Sequence, residues 1–245
     1  MVRIILALIF LFAPSQIWAF GVQQGISGPV AGGGEDCTSG TYLSAWDAQY
    51  PSDADKLCVD SGDTNKDGTI SGGTLSTDGY TVTDKDQYLE WSVSAADILD
   101  EDTGTIFIEV NFDSGNDANV DFFEALYDSS NMIVFTYAES TTQITAYRAG
   151  GGATDSVGDG SVTTAKNVTV TFGYTWDVGN ATADHAISID KGTTWYDDGV
   201  DGIATMTNNP TAIRLGNLEK STSSDQVYTI TRFATVSEYE GVCPW

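Results

Sequence analysis

A short acidic segment carries the oxygen-bearing side chains best spaced to bind a cation. Asp63, Asn65 and Asp67 stand at alternate positions, a glycine follows, and Thr69 comes next. A calcium loop places side-chain oxygens at positions 1, 3 and 5, a glycine bend at 6 and a carbonyl at 7. Thr74 occupies position 12, where a bidentate glutamate is expected. The spacing predicts a Ca²⁺ site at Asp63, Asn65, Asp67 and Thr69, with an ordinary polar turn as the alternative.

Aromatic side chains beside charged groups form a second kind of candidate site. A sugar ring can stack on an aromatic face while neighbouring charged groups bind its hydroxyls. Two such groups predict ligand binding at the rim of the fold: Trp195, Tyr196, Asp197 and Asp198, and then Tyr147 with Arg148. Other aromatic residues with core-facing spacing are interpreted as packing residues.

Hydrolytic chemistry has weaker support in the sequence. Glycoside hydrolysis needs two positioned carboxylates. Alternation would place Glu109, Asn111 and Asp113 on one face of a strand, with an amide in the middle. His185 is the only histidine, so a Ser–His–Asp or Cys–His unit would have to include it. We therefore predict that the protein is not an enzyme, and a divergent glycoside hydrolase is kept as an alternative.

The segment 188–195 predicts a tight turn with its own hydrogen bonds. Asp190 can accept backbone N–H bonds, Gly192 can adopt a positive φ, and Trp195 can pack across the hairpin. These contacts favour a structural role for the segment.

The formal charge of −25, from 10 basic and 35 acidic residues, restricts the partners. Such a charge repels phosphate backbones and anionic lipid surfaces. We therefore predict no nucleic-acid partner and no membrane insertion. A solvated acidic surface would explain the charge without any bound metal.

The N-terminus predicts export, and the remaining chain divides into three segments. Arg3 precedes an apolar run, and Ala19 is a small residue at a cleavage point. We expect a signal peptide (1–19), a flexible glycine-rich arm (20–40), a turn-rich acidic segment packed on the sandwich (41–83) and a jelly-roll domain (84–245). The mature protein would be secreted, extracellular or at the cell surface. Oxidising conditions favour one disulfide among three cysteines, and the sequence leaves the pair open: Cys37, Cys58 and Cys243.

Strand patterns follow one another from 88 to 236. The segments 105–112 and 168–176 alternate apolar and polar residues most clearly. Short strands without intervening helix patterns predict an all-β fold, an antiparallel β-sandwich of jelly-roll type. Apolar residues over 43–48 predict a short helix before the first strand.

Several strings carry a family resemblance. YLEW at 88–91, VTVTFGYTWD at 168–177, ISID at 187–190 and IRLGN at 213–217 occur in this order. The order resembles the concanavalin A-like jelly rolls, in particular their laminin-G-like branch. The segment 188–195 is similar to the Asp-box hairpin that repeats in sialidases and occurs once here. This resemblance implies binding of glycans, proteins or calcium, and some members of the family are glycosidases.

Together these features predict a secreted, non-catalytic carbohydrate-binding or cell-surface adhesion module, with Ca²⁺ as an assisting ion if the predicted loop binds it. Its partner would be a polysaccharide or a cell-surface glycan. The alternative is a structural subunit of an extracellular filament, coat or matrix, which forms a homo-oligomer or filament through the N-terminal arm.

Overall fold

A computed structural model describes residues 42–48, 55–59, 66–94, 99, 102–117, 119–158, 162–179, 184–197, 203, 205–216 and 226–245. These residues form β-strands, turns and bends, without a helix. Within those ranges, no helix has the length and apolar character needed to cross a membrane. The predicted signal peptide and N-terminal arm lie outside the described residues.

The strands of the described chain run, in order: β1 (Ser44–Asp47), β2 (Lys56–Val59), β3 (Lys66–Asp67), β4 (Thr69–Ser71), β5 (Thr74–Ser76), β6 (Gly79–Val82), β7 (Tyr88–Ser92), β8 (Thr103–Phe112), β9 (Val120–Asp128), β10 (Asn131–Ala138), β11 (Gln143–Gly150), β12 (Ala153–Val157), β13 (Thr169–Asp177), β14 (His185–Ser188), β15 (Tyr196–Asp197), β16 (Ala212–Gly216) and β17 (Tyr228–Val236).

The strands form two sheets. The larger has the order β15-β14-β13-β8-β17-β1-β2-β3, with β6 paired to β17 and β5 paired to β6. The smaller has the order β12-β11-β10-β9-β16-β7-β4. Neighbouring strands such as β8 and β13, or β9 and β10, are antiparallel. The prediction of an all-β, antiparallel sandwich is confirmed.

The core lies between the two sheets because alternate residues of the central strands face inward. On β8 these include Ile106, Ile108 and Phe112, which are fully buried. Phe172 and Trp176 of β13 are buried in the same cluster. Burial of these side chains is the main favourable contribution to folding. The predicted alternation on both strands is confirmed.

The helix predicted over 43–48 is wrong, because this segment contains β1. Ser44–Asp47 pairs with β17 and β2 in the larger sheet. Trp46 is completely buried, and its ring centroid lies 5.8 Å from that of Trp91. Six strands precede residue 84, and they pair within the same two sheets as the strands that follow it.

A second, smaller apolar cluster covers part of the outer face of the larger sheet. It is built from Tyr42, Ala45, Cys58, Phe107, Ala234, Val236 and Trp245, with Trp195 and Cys243 packed against it. The C-terminal segment 238–245 is held there by Thr105 and Thr175. The Thr105 hydroxyl donates to the Glu238 carbonyl at 2.6 Å, and the Glu240 N–H donates to Thr175 Oγ1 at 2.7 Å.

The cysteines are in two different states. Cys58 is disulfide-bonded, whereas Cys243 is a free thiol whose pKa is raised by burial. A Cys58–Cys243 pair is therefore excluded, and Cys37 lies outside the described residues.

Candidate functional site

A row of polar residues crosses five segments on the outer face of the larger sheet. Thr171 of β13 lies opposite Glu109 of β8, and Glu109 lies opposite Arg232 of β17. Arg232 in turn lies opposite Asp47 of β1, and Asp190 forms a bridge with Thr171. These residues, Asp190, Thr171, Glu109, Arg232 and Asp47, are called the polar row below. Since neighbouring strands are about 4.8 Å apart, the row extends over about 19 Å.

An open cleft lies over one end of the polar row. Its volume is about 700 Å³. Hydroxyl groups dominate its polar lining, and two acids and one lysine stand among them. The lining residues are Glu109, Thr163, Thr164, Ala165, Val168, Thr169, Val170, Thr171, Ile189, Asp190 and Lys191. The cleft thus offers donors and acceptors from Glu109 of β8, from Thr169 and Thr171 of β13, and from the segments 163–165 and 189–191 beside them.

Glu109 forms the wall between this cleft and a smaller cavity. The smaller cavity has a volume of about 160 Å³ and is lined by Asp47, Thr77, Asp78, Glu109, Thr231 and Arg232. The two cavities therefore adjoin along the polar row.

The Glu109 carboxylate is held by two donors. The Thr231 hydroxyl donates to Oε1 at 2.6 Å, and Arg232 Nη2 donates to Oε2 at 3.0 Å. The guanidinium of Arg232 also lies over the Trp245 ring, 4.9 Å from its centroid. These contacts fix the Glu109 carboxylate in place, with one protein donor on each oxygen.

The turn that closes the cleft contains the predicted hydrogen bonds. Asp190 Oδ1 accepts from the Thr194 N–H at 2.9 Å and from the Ser188 hydroxyl at 2.8 Å. Gly192 has a φ of 78°, and Lys191 also adopts a positive φ of 64°. Burial raises the pKa of Asp190, but the hydrogen bonds from Thr194, Ser188 and Thr193 outweigh this effect and lower it below the usual 3.8. Asp190 is therefore unsuited to act as a general acid at neutral pH.

The predicted aromatic site lies next to the cleft and does not line it. Trp195 packs in the hairpin, with its ring centroid 6.0 Å from that of Phe107. Tyr196 is half-buried against the main core, and Asp197 is exposed at the sheet edge. Asp198 lies outside the described residues. Within the two cavities, no lining residue of the described chain is aromatic.

The second predicted pair is on the other sheet. Tyr147 and Arg148 belong to β11, so the structure does not bring them to Trp195. The prediction that Arg148 lies at the rim is wrong: its side chain is fully buried, with the guanidinium 5.5 Å from the centroid of the Trp176 ring. Alternation explains this placement, because Arg148 shares the inward face of β11 with Ile144. Tyr147 is half-buried on the opposite face.

The predicted calcium segment is described in part. Asp67 lies in β3, where its carboxylate forms an ion pair with Lys56, and Thr69 lies in β4 opposite Glu90. Asp63 and Asn65 lie outside the described residues. Within the part of the chain that the structure describes, no group of three or more His, Cys, Asp or Glu residues could hold a metal ion. The calcium site stays a prediction.

The threonines of the cleft were missed by the sequence interpretation. Thr169 and Thr171 occupy the polar positions of an alternation that was used only to identify core residues. Their spacing is a usable signal, since residues two apart on a strand face the same side. Thr163 and Thr164 come from a loop, and no periodicity marks them. His185, in contrast, is buried in β14 beside Tyr174.

The fold has counterparts among solved structures. No family model and no curated protein matches the chain. The receptor binding domain of botulinum neurotoxin D matches with a TM-score of 0.56 at 10% identity, over 81% of this chain and 50% of that one. A Trypanosoma rangeli sialidase in complex with sialic acid matches with a TM-score of 0.55 at 9% identity, over 80% of this chain and 30% of that one. The chain thus spans a third to a half of these structures, and the likeness shows a shared β-sandwich fold.

Proposed function

We propose that the protein is a non-catalytic carbohydrate-binding module, exported to the extracellular space or cell surface, that holds its glycan in the cleft over β8 and β13. The observation that carries the proposal is the set of hydroxyl and carboxylate side chains which the sheet presents in one open cleft of about 700 Å³. Sugars are bound through such fixed donors and acceptors in concave sites.

The structural neighbours support the proposal of carbohydrate binding. One is described as a receptor binding domain, and another holds sialic acid. We further propose that the sandwich is of the concanavalin A-like, jelly-roll type. The support from the neighbours and the assignment to the jelly-roll type rest on likeness of fold alone. The argument for carbohydrate binding rests on the residues of the cleft.

The contacts of the acids support a non-catalytic role. Glu109 is bonded to Thr231 and Arg232, and the pKa of Asp190 is lowered. Glycoside hydrolysis requires one carboxylic acid that keeps its proton, together with a second carboxylate across the bond. Asp190, with its lowered pKa, lacks the surroundings of that proton donor, and both oxygens of Glu109 already accept hydrogen bonds from protein donors.

Calcium is a separate part of the proposal. Asp63, Asn65, Asp67 and Thr69 would hold the ion at the connection between β3 and β4, where it would stiffen the edge of the smaller sheet. The ion pair between Asp67 and Lys56 must then rearrange, since one carboxylate oxygen is already engaged.

Binding of the exported chain to a panel of polysaccharides tests the proposal, first with calcium and then with chelator. Thr169→Trp would fill the cleft at an exposed position and should weaken binding at least tenfold. Thr154→Trp, at an exposed position on the edge strand β12 of the other sheet, is the matched control. Equal binding by both variants would remove the cleft from the proposal. Binding that survives chelation would remove calcium alone.

A further inference from the structure

The polar row continues past Glu109, so the cleft is one part of a longer surface. Glu109 lines both cavities, and the row runs from Asp190 in the first to Asp47 in the second. Its length of about 19 Å exceeds that of a single sugar ring. A chain of several sugars crossing the strands would contact both cavities at once.

Acids outnumber bases along this surface. Four carboxylates line the two cavities, from Asp47, Asp78, Glu109 and Asp190. The bases are Arg232 and Lys191. The difference is two negative charges, within a chain whose formal charge is −25. The local excess of acids repels an anion close to the surface, and the charge of the whole chain repels it at a distance.

Both bases are already engaged. Arg232 Nη2 lies 3.0 Å from Glu109 Oε2, and its guanidinium lies over the Trp245 ring. Lys191 Nζ donates to the Trp245 carbonyl at 3.5 Å. A carboxylate or sulfate on the ligand would have to displace one of these contacts. Because the neighbouring acids would remain, the exchange is unfavourable.

We infer that this surface takes an extended, uncharged glycan which crosses both cavities, and that it excludes acidic glycans. The inference rests on the proposed function and adds the class of ligand. It also separates this chain from its structural neighbour, whose bound ligand is sialic acid, a carboxylated sugar.

The test measures binding of the full exported chain to pairs of polymers with the same backbone, one neutral and one carrying added carboxylates. Dextran, laminarin, xylan, pullulan and hydroxyethyl cellulose are each compared with their own carboxymethylated derivatives. We expect at least one neutral polymer to bind, and its carboxymethylated form to bind at least tenfold more weakly at low salt. The difference should narrow at high salt, because screening weakens repulsion between exposed charges.

Two variants assign the discrimination to this surface. Asp78→Lys removes one acid from the smaller cavity. It should lower severalfold the ratio between the affinity for the neutral polymer and the affinity for its carboxymethylated form. Asp128→Lys makes the same change of charge at an exposed position at the end of β9, in the other sheet, and should leave that affinity ratio nearly unchanged. Equal effects of both variants would assign the discrimination to overall charge and overturn the role of the row.

The remaining outcomes separate the two proposals. Acidic polymers that bind as tightly as their neutral parents, or more tightly, would overturn this inference and leave carbohydrate binding in place. If no polymer of either kind binds, the proposed function fails, and the inference fails with it.

Discussion

Glu109 and Arg232 lie directly opposite each other on β8 and β17, with Oε2 of the glutamate 3.0 Å from Nη2 of the arginine. Their side chains are 16% and 28% exposed, so the pair is only partly open to water. The Thr231 hydroxyl binds the other carboxylate oxygen. The pair divides the two cavities, which makes it both a structural contact and the boundary between two parts of the candidate site.

A double-mutant cycle should detect this pairing. We expect Glu109→Gln and Arg232→Gln each to lower the free energy of unfolding by about 1–2 kcal/mol, with a coupling of about 1 kcal/mol, since partly buried pairs exceed the median of exposed ones. Urea unfolding of the four proteins measures it. Lys56 and Asp67, whose acid is mostly exposed, provide a control cycle with a smaller coupling. Additive effects at Glu109 and Arg232 would contradict the pairing.

Trp46 should be among the most costly core residues to truncate. Its ring packs between Trp91 and Phe233 at centroid distances of 5.8 and 6.5 Å. Trp46→Ala should cost about 3–5 kcal/mol, because the cavity left behind cannot fully collapse. Denaturant unfolding measures the loss. Ile70→Ala, at a side chain 46% exposed, should change stability by less than about 0.5 kcal/mol. A small effect at Trp46 would argue against the pairing of β1 in the larger sheet.

The sequence predicted the sheets better than the site, for a physical reason. Alternation is local, so the strands β8 and β13 could be predicted from a few residues each. The polar row depends on register between strands that are up to 185 residues apart, as between Asp47 and Arg232, and no local pattern encodes it. Over 43–48, apolar spacing suited both a helix and a strand, and pairing with β17 decided between them. Arg148 was predicted at the rim because it is charged. Its position in the alternation of β11, in line with the buried Ile144, places it in the core instead.

Gly150 is required by a close backbone approach at the end of β11. A Cβ atom at this position would lie 2.3 Å from the Thr205 carbonyl oxygen, which is backbone and cannot rotate away. Gly150→Ala should therefore cost about 2 kcal/mol through forced backbone shifts. Thermal unfolding checks this value. Gly115→Ala is the control, since its nearest neighbour would be an Asp113 side-chain oxygen at an ordinary 3.4 Å. Comparable losses in both variants would indicate a general effect of removing glycine.

Asp190 should give the turn a stability that depends on pH. Its folded pKa lies below the usual 3.8, although burial alone would raise it, because Thr194, Ser188 and Thr193 stabilise the carboxylate. A depressed folded pKa means that the contribution is complete above the unfolded pKa and is lost as pH falls through the folded one. Asp190→Asn should cost about 0.5–1 kcal/mol at neutral pH, a value kept small by the exposure of the side chain.

The pH dependence distinguishes this carboxylate from a general packing effect. Urea unfolding measures the free energy of unfolding of wild type and Asp190→Asn from about pH 7 to pH 2.5. The difference between the two free energies should be constant down to about pH 4 and should shrink below it. Asp78→Asn is the matched control, because it replaces a carboxylate with an amide at an exposed position outside the turn. A difference that stays constant to the lowest pH would mean that the charge of Asp190 contributes nothing, and that the Ser188 and Thr194 contacts act as neutral hydrogen bonds.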